Sequence, residues 1–444
     1  MTSTTAAVLD PPLDPPLDPP LDTARHIRYW QRCFRSVLPH HYTSNDSIRL
    51  TLGFFILSAL DLLSPSSPTP LVTSQGRAGL RAWILRLQHP HGGFCGSPHH
   101  ALPDGFRSRF DPDTKTYVAR DSANANIAAT GFALLCLGVI AEGDGSDALR
   151  RVDRVRTLTW LKKLQREDGS FGEVLTDDGR ISGGRDMRFC YIAAIIRWVL
   201  GGAEGDKSLD FNVDALVEHI RRAQTFDGGT GESSTHESHS GYAYCAVAAL
   251  ALLDASDPDP SATPNRYLHA GIPSIPSLVH FLVSRQFAYL DPSDNGDDDD
   301  TANHSLPDLS SLSLSDTMPH ITGFNGRLNK LPDTCYTWWN SGALSLLGED
   351  KLVSRGPARR FILEKTQHFI GGFAKFPDGP PDVYHAYMGL AALANMAGAE
   401  GEPGLAKFDP RLCISADAAA RLTKAREIML HPVVDTGSES EEDN

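Results

Sequence analysis

The sequence predicts an all-α protein whose helices form an α-α barrel, that is, two concentric rings of helices. Two observations lead to this fold class. A glutamine followed by a glycine-rich turn recurs along the chain, and each turn separates a charged, amphipathic helix from an apolar one. No segment shows the alternation of apolar and polar residues that would predict a competing β-sheet.

The recurring unit is a glutamine, three further residues and a glycine turn. A fifth copy is split by a long insertion, between "SRQFAYL" and "GFNGR". Repetition at this scale indicates stacked supersecondary units. The four intact copies are "LQHPHGGF" (87–94), "LQREDGSF" (164–171), "AQTFDGGT" (223–230) and "TQHFIGGF" (366–373).

The helices before the turns have one polar and one apolar face, as in "NVDALVEHIRRA" (212–223). Those after the turns, such as "GYAYCAVAALALL" (241–253), are apolar nearly all round and must be buried on most sides. About a dozen such helices form about six hairpins. A closed ring with the apolar helices inside satisfies this pattern.

The barrel domain is expected to span 26–431. A proline-rich segment (1–25), an acidic and serine-rich insertion (288–321) and an acidic tail (432–444) have compositions typical of disorder.

The bulk composition excludes several classes of protein. A net charge of −14 disfavours nucleic-acid binding. Seven scattered cysteines do not form a disulfide framework. No secretory signal and no apolar stretch of about 18 residues occurs, so we expect a cytoplasmic protein without stable membrane insertion.

Polar residues gather at the starts of the apolar helices. If the inner helices run in one direction, these residues meet at one mouth of the barrel, above an apolar interior. Helix N-termini also favour anions. The pattern therefore predicts a ligand with an anionic head and a hydrocarbon tail. The residues concerned are Arg188, His239, Asp333, Cys335 and His385.

Asp333 and Cys335, two residues apart at a helix start, suggest a metal site. With one imidazole they would form a three-ligand Zn²⁺ site with an open fourth position, the catalytic type. The alternative is structural, with Asp333 as an N-cap and Cys335 as a buried apolar residue. Spacing does not choose between His239 and His385 as the third ligand.

Four blocks resemble the β subunits of the protein prenyltransferases, most closely those of protein geranylgeranyltransferase type I. The resemblance extends over about 46–398 and implies an α-α barrel in an obligate heterodimer with an α subunit. The blocks are "RDMRFCY" (185–191), "HESHSGYAYC" (236–245), "GFNGRLNKLPDTCYTWW" (323–339) and "GGFAKFPDGPPDVYHAY" (371–387).

The resemblance also implies the chemistry. One Zn²⁺ per β subunit, held by Asp333, Cys335 and His385, would activate the cysteine thiol of a C-terminal CaaX motif, which attacks C1 of geranylgeranyl diphosphate. The substrates would be Rho-type small GTPases ending in CaaL. The implied diphosphate-binding residues are His239, Arg327, Lys330 and Tyr336, and the implied lipid-pocket residues are Thr51, Phe55, Arg188, Tyr191, Tyr242, Cys245 and Trp339.

Two positions bear on the choice of donor. Thr51 matches a tryptophan of the farnesyl enzyme, so the smaller side chain leaves room for one more isoprene unit. Lys375 matches a Mg²⁺-binding aspartate, so an ammonium group would make the reaction independent of Mg²⁺ and take part in catalysis with Tyr336. Both favour the C20 donor, although Asn126 departs from a histidine of the geranylgeranyl enzyme near the peptide C-terminus. A farnesyltransferase or Rab geranylgeranyltransferase β subunit, an isoprenoid cyclase and a non-catalytic barrel scaffold are the alternatives.

Overall fold

The computed structural model describes residues 19–98, 108–111, 116–119, 124–176, 178–257, 264–289 and 320–431. Helices dominate these residues. They are α1 (Thr23–Arg35), α2 (Arg49–Leu62), α3 (Ser74–Arg86), α4 (Ile127–Val139), α5 (Arg154–Lys163), α6 (Met187–Val199), α7 (Val213–Ala223), α8 (Ser240–Asp254), α9 (Arg266–Gly271), α10 (Ile275–Val283), α11 (Thr334–Leu346), α12 (Arg355–Arg360, continued by a π-helical turn at Phe361–Thr366), α13 (Val383–Met396) and α14 (Ala416–Leu430).

Short antiparallel strands connect the helices, and the sequence pattern did not predict them. Four form one sheet in the order β1-β4-β5-β6, and the others pair as β2-β3, β7-β8 and β9-β10. They are β1 (Phe94–Cys95), β2 (Ser108–Asp111), β3 (Thr116–Ala119), β4 (Ala125–Asn126), β5 (Val174–Leu175), β6 (Ile181–Ser182), β7 (Gln286–Ala288), β8 (Thr322–Phe324), β9 (Phe408–Asp409) and β10 (Ile414–Ser415).

The apolar helices α2, α4, α6, α8, α11 and α13 form the inner ring. Each packs against the next, and α13 packs against α2, so the ring is closed. The helices α1, α3, α5, α7, α10 and α12 each precede one inner helix and form the outer layer. The inner helices are buried on nearly all sides, whereas α7 alternates buried and exposed positions. The predicted α-α barrel of six hairpins is confirmed.

The repeated glutamine joins neighbouring hairpins. Gln165 Oε1 accepts from the backbone N–H of Asn212, and its Nε2 donates to the carbonyl of Asn212, each at 2.8 Å. Asn212 is the N-cap of α7, so the glutamine fixes the start of the next outer helix. Gly169 has a φ of +86°, and a Cβ there would lie 1.9 Å from the carbonyl oxygen of Ala215. The close packing of turn on helix therefore requires glycine.

The fifth copy of the repeat is rejoined in space, as predicted. Gln286 pairs with Phe324 across β7 and β8, just as Gln165 pairs with Phe171 within one intact copy. Its side chain accepts from the backbone N–H of Ser354 at 2.8 Å. Residues 290–319 of the expected insertion lie outside the described residues, as do 1–18 and 432–444.

The first helix closes the ring. The last glutamine, Gln367, bonds through Oε1 to Nε2 of His26 at 2.9 Å. His26 Nδ1 accepts from the backbone N–H of Gly372 at 3.2 Å. This helix begins at Thr23, three residues before the expected start of the barrel domain. In the other hairpins the repeated glutamine bonds to the N-cap residue of the next outer helix. Here His26 is the partner of the glutamine instead.

The β9-β10 hairpin inserts into the barrel from the end at which the inner helices terminate. The backbone N–H of Ala406 donates to the carbonyl of Leu62, the last residue of α2. Three inner-helix tyrosines hold the hairpin through hydroxyl-to-carbonyl bonds. The pairs are Tyr191 with Arg411 (2.8 Å), Tyr244 with Pro410 (2.7 Å) and Tyr387 with Cys413 (2.6 Å). In the part of the chain described, no helix is long and apolar enough to cross a membrane.

Candidate active site

Three inner helices begin at the same mouth of the barrel, and each begins with a side-chain cap. His239 Nδ1 accepts from the N–H of Gly241 at 3.0 Å. Asp333 accepts from Cys335 at 2.7 Å, and Asp382 accepts from His385 at 2.9 Å. Capping holds these side chains at the helix ends, which brings the functional groups together.

Asp333, Cys335 and His385 form a group of metal-ligating side chains. Their ligand atoms all lie within 4.8 Å of one another, and His385 Nε2 is 3.5 Å from Asp333 Oδ1. Ligands bound to tetrahedral Zn²⁺ at about 2.0–2.3 Å lie about 3.3–3.8 Å apart, so this distance suits the ion. His239 is not in the group. Asp333 caps α11 and also faces the group, so the two interpretations of this residue are compatible.

The chemistry of the donors also favours a cation. Burial raises the pKa of the Cys335 thiol, and the nearby Asp333 carboxylate raises it further. Asp333 itself is 2% exposed. As metal ligands both groups would be anionic, and two buried anions side by side are costly unless a positive charge compensates them. The residues present therefore fit a Zn²⁺ ion.

Asp382 is a further residue of the candidate site, and the sequence analysis did not name it. Its Oδ2 lies 2.6 Å from His385 Nδ1, which fixes the ring and turns Nε2 toward Asp333 and Cys335. A carboxylate on the far nitrogen is the common support of a metal-bound histidine. Burial lowers the pKa of His385, but its hydrogen bonds to Asp333 and Asp382 raise it overall to about 9. A bound metal would displace that proton. The D-x-x-H spacing was the available signal.

A polar wall lies beside the triad. His239 Nε2 is 3.1 Å from the Tyr336 hydroxyl. Burial, aided by the charges of Arg327 and Arg188, lowers the pKa of His239 to about 4, so the ring is neutral near pH 7. Because Nδ1 accepts from Gly241, the proton is on Nε2. Burial raises the pKa of Tyr336 to about 12, so its hydroxyl keeps its proton and remains a donor.

The cations of this wall differ in their contacts. Arg327 Nη1 pairs with Glu237 at 2.7 Å. Lys330 is exposed, and its side chain makes no hydrogen bond or ion pair within the described ranges. Lys375 Nζ lies 3.9 Å from Asp333 Oδ2 and 4.9 Å from the centre of the Phe376 ring, and its side chain is 51% exposed.

A cavity of about 520 Å³ extends from this mouth into the barrel, within the usual size range of ligand pockets. Two larger hollows, of about 760 and 870 Å³, are not lined by Trp339 or Tyr384, the two residues that line this cavity and lie next to Cys335, so proximity to the triad rather than size selects the site. Among the predicted lipid-pocket residues, those that line the cavity are Thr51, Phe55, Arg188, Tyr191, Cys245 and Trp339.

Tyr242 lies outside the lining, with its ring 5.0 Å from that of His239 and 6.0 Å from Arg188 Cζ. Arg188 is paired with Asp186, the N-cap of α6, at 2.9 Å. Sequence reasoning did not name several lining residues, because only the closed ring brings them to one space. These are Phe54, Phe132, Tyr244, Tyr384, Met388, Leu412 and Cys413.

The cavity adjoins the triad through Tyr384 and Trp339, which line it. Tyr384 lines the cavity and stacks edge-on against the neighbouring His385 ring, 4.9 Å away. Its hydroxyl accepts from Trp339 Nε1 at 3.1 Å. The site therefore combines a metal-ligating triad, a wall of hydrogen-bond donors and cations, and a deep apolar pocket.

Known proteins are similar to this chain in sequence and in fold. The geranylgeranyl transferase type-1 subunit beta of Arabidopsis thaliana is 28% identical over 408 residues, covering 90% of this chain and 91% of that protein. The protein farnesyltransferase subunit beta of Pyricularia oryzae is 26% identical over 402 residues, covering 84% and 62%. The structure of Candida albicans protein geranylgeranyltransferase-I complexed with GGPP superposes with a TM-score of 0.69, at 25% identity, covering 92% of this chain and 100% of that one.

The family described as the prenyltransferase alpha-alpha toroid domain matches residues 21–414. That match spans all six hairpins and the triad. The resemblance expected from the four sequence blocks is confirmed at the level of the family. The chain belongs to the prenyltransferase α-α toroid family, and its relatives are β subunits of protein prenyltransferases.

Proposed function

We propose that this chain is the catalytic β subunit of a zinc-dependent, heterodimeric protein geranylgeranyltransferase type I. It transfers a C20 geranylgeranyl group to the cysteine of a C-terminal CaaX motif, in particular CaaL of Rho-type small GTPases. The observation that carries the proposal is the position of the Asp333, Cys335 and His385 triad between a wall of anion-binding groups and an apolar cavity.

In the reaction, a bond forms between the substrate sulfur and C1 of the isoprenoid while the bond from C1 to the diphosphate oxygen breaks. The electron pair leaves with the diphosphate, and the thiol proton goes to solvent. Zn²⁺ held by the triad would supply the positive charge that lowers the pKa of the substrate thiol.

The chain's own residues stabilise the leaving group. The Tyr336 hydroxyl and His239 Nε2–H are neutral donors at the helix N-termini, and Arg327 and Lys330 bring positive charge. Because negative charge grows on the diphosphate as the bond breaks, these groups bind the transition state more strongly than the ground state. Lys375 lies near Asp333 at the open edge of the site. This position supports the proposal that its ammonium group takes the place of Mg²⁺.

The apolar cavity provides binding energy for the tail. Burial of each methylene-sized group stabilises binding by about 0.8 kcal/mol, so a C20 chain is held more firmly than a C15 chain if both fit. Thr51, a small residue in the cavity lining, supports the longer donor. The match to a farnesyltransferase β subunit makes the C15 donor the second candidate.

Co-expression with a protein prenyltransferase α subunit tests the proposal. We expect one Zn²⁺ per β chain, and labelling of a CaaL peptide from geranylgeranyl diphosphate with or without Mg²⁺. Cys335→Ala and His385→Ala should lose both zinc and labelling. Cys136→Ala, which removes a buried inner-ring thiol outside the cavity lining, is the matched control.

Faster labelling from farnesyl diphosphate would select the second candidate. A complex that holds no zinc, or that labels the peptide equally well without Cys335 and His385, would contradict the mechanism. A folded complex that labels no peptide from either donor would favour a scaffold.

A further inference from the structure

One carboxylate contacts the polar wall, and the proposed mechanism does not use it. Glu237 Oε2 lies 2.7 Å from Arg327 Nη1. It belongs to the loop that leads into α8, two residues before His239. The side chains of Arg327 and Glu237 are 40% and 59% exposed, so solvent and ligands reach the pair.

The remaining donors of the Arg327 guanidinium are not equivalent to Nη1. Its Nε is buried and has no hydrogen-bond partner in the part of the chain described. Nη1, in contrast, is already held by Glu237. An anion that approaches Arg327 from the mouth therefore meets a carboxylate already in place.

We infer that Glu237 competes with the diphosphate for Arg327. The inference rests on the proposed function, which assigns Arg327 to diphosphate binding. In the free protein the carboxylate of Glu237 neutralises the guanidinium of Arg327. When the diphosphate binds, its bond to Arg327 replaces the bond between Arg327 and Glu237, and both bonds are charge-assisted. When the diphosphate product dissociates, the ion pair between Glu237 and Arg327 forms again. The residue thus weakens retention of the product at the mouth.

The sign of the effect follows from charge. Glu237 is an anion next to a site for a more highly charged anion, and His239 is neutral and does not offset it. An exposed ion pair contributes little, so its exchange is easily reversed. If Glu237 instead positioned Arg327 for the ligand, its removal would weaken diphosphate binding. The two roles predict opposite changes.

The test measures binding of inorganic pyrophosphate by calorimetry, in Mg²⁺-free buffer near physiological ionic strength. It uses the full-length chain co-expressed with an α subunit, with zinc content and melting temperature recorded for each variant. We expect Glu237→Gln to tighten binding by about two- to fivefold, the strength of an exposed ion pair. In an Arg327→Gln background, which itself should bind more weakly, the same change should have little effect.

Glu232→Gln is the matched control. It removes the same charge from the same loop, and Glu232 makes no ion pair or hydrogen bond through its side chain within the described residues. Screening should limit its effect to about 1.5-fold. Equal effects of the two glutamine variants, or weaker binding by Glu237→Gln, would overturn the inference. Absence of pyrophosphate binding by the unaltered protein would instead overturn the proposed diphosphate site.

Discussion

Protonation of His26 should open the seam at which the barrel closes. The ring is fully buried, its Nδ1 accepts from Gly372 and its Nε2 bonds to Gln367. Burial lowers the pKa of His26 to about 4, from 6.5 for the exposed side chain. The unfolded chain therefore takes up this proton first as the pH falls. Stability that is present above pH 6.5 is lost progressively toward pH 4.

The size of the loss follows from the two pKa values. With 6.5 in the unfolded chain and about 4 in the folded chain, one histidine lowers the free energy of unfolding by about 2 kcal/mol between pH 7 and pH 5. Urea unfolding at both pH values measures it. Because other histidines also titrate, with the same sign for His219 and His239 and the opposite sign for His385, the quantity of interest is the difference between the unaltered protein and His26→Gln.

The unaltered protein should lose about 2 kcal/mol more than His26→Gln over this range, whereas His41→Gln, at an exposed position, should leave the loss unchanged. Titration of the His26 ring protons by NMR gives the folded-state pKa directly, even if His26→Gln folds poorly. A measured pKa near 6.5, or equal losses for all three proteins, would refute the reasoning.

Four further predictions follow from the site and the repeats. Thr51→Trp should fill the space of the last isoprene unit, about five carbons, and lower the affinity for the C20 diphosphate by about 100-fold or more. The affinity for the C15 diphosphate should not fall, and competition binding measures both. Asp382→Ala should weaken zinc binding by about 10- to 100-fold in a chelator titration, and Asp382→Asn, which retains the helix cap, by less. Lys375→Asp should make transfer dependent on Mg²⁺, whereas Lys375→Ala should be slow and unresponsive to the ion. Gln286→Ala should lower the free energy of unfolding by about 1–3 kcal/mol, because two backbone groups of the next hairpin lose their hydrogen-bond partner. Gln75→Ala, on an exposed turn of α3, is the control and should change the free energy of unfolding little.

Local patterns in the sequence were sufficient for the architecture. The periods of apolar residues distinguish inner from outer helices, and the glutamine-to-glycine spacing marks each turn, because both depend on residues a few positions apart. The same is true of Asp333 and Cys335, which are close in space because they are close in sequence. Even the split fifth copy could be recognised, since the residues on both sides of the insertion retain the pattern.

The contacts between distant segments were decided only by the tertiary structure. The helices that begin at His239 and near His385, α8 and α13, both pack beside α11 when the ring closes, and only the positions of their first turns in space join His385 rather than His239 to Asp333 and Cys335. The tyrosine-held hairpin and the pairing of Glu237 with Arg327 arise in the same way. Short-range periodicity determines which helices form and which faces they bury. Which side chains then meet at the mouth depends on the closure of the ring, a property of the whole chain.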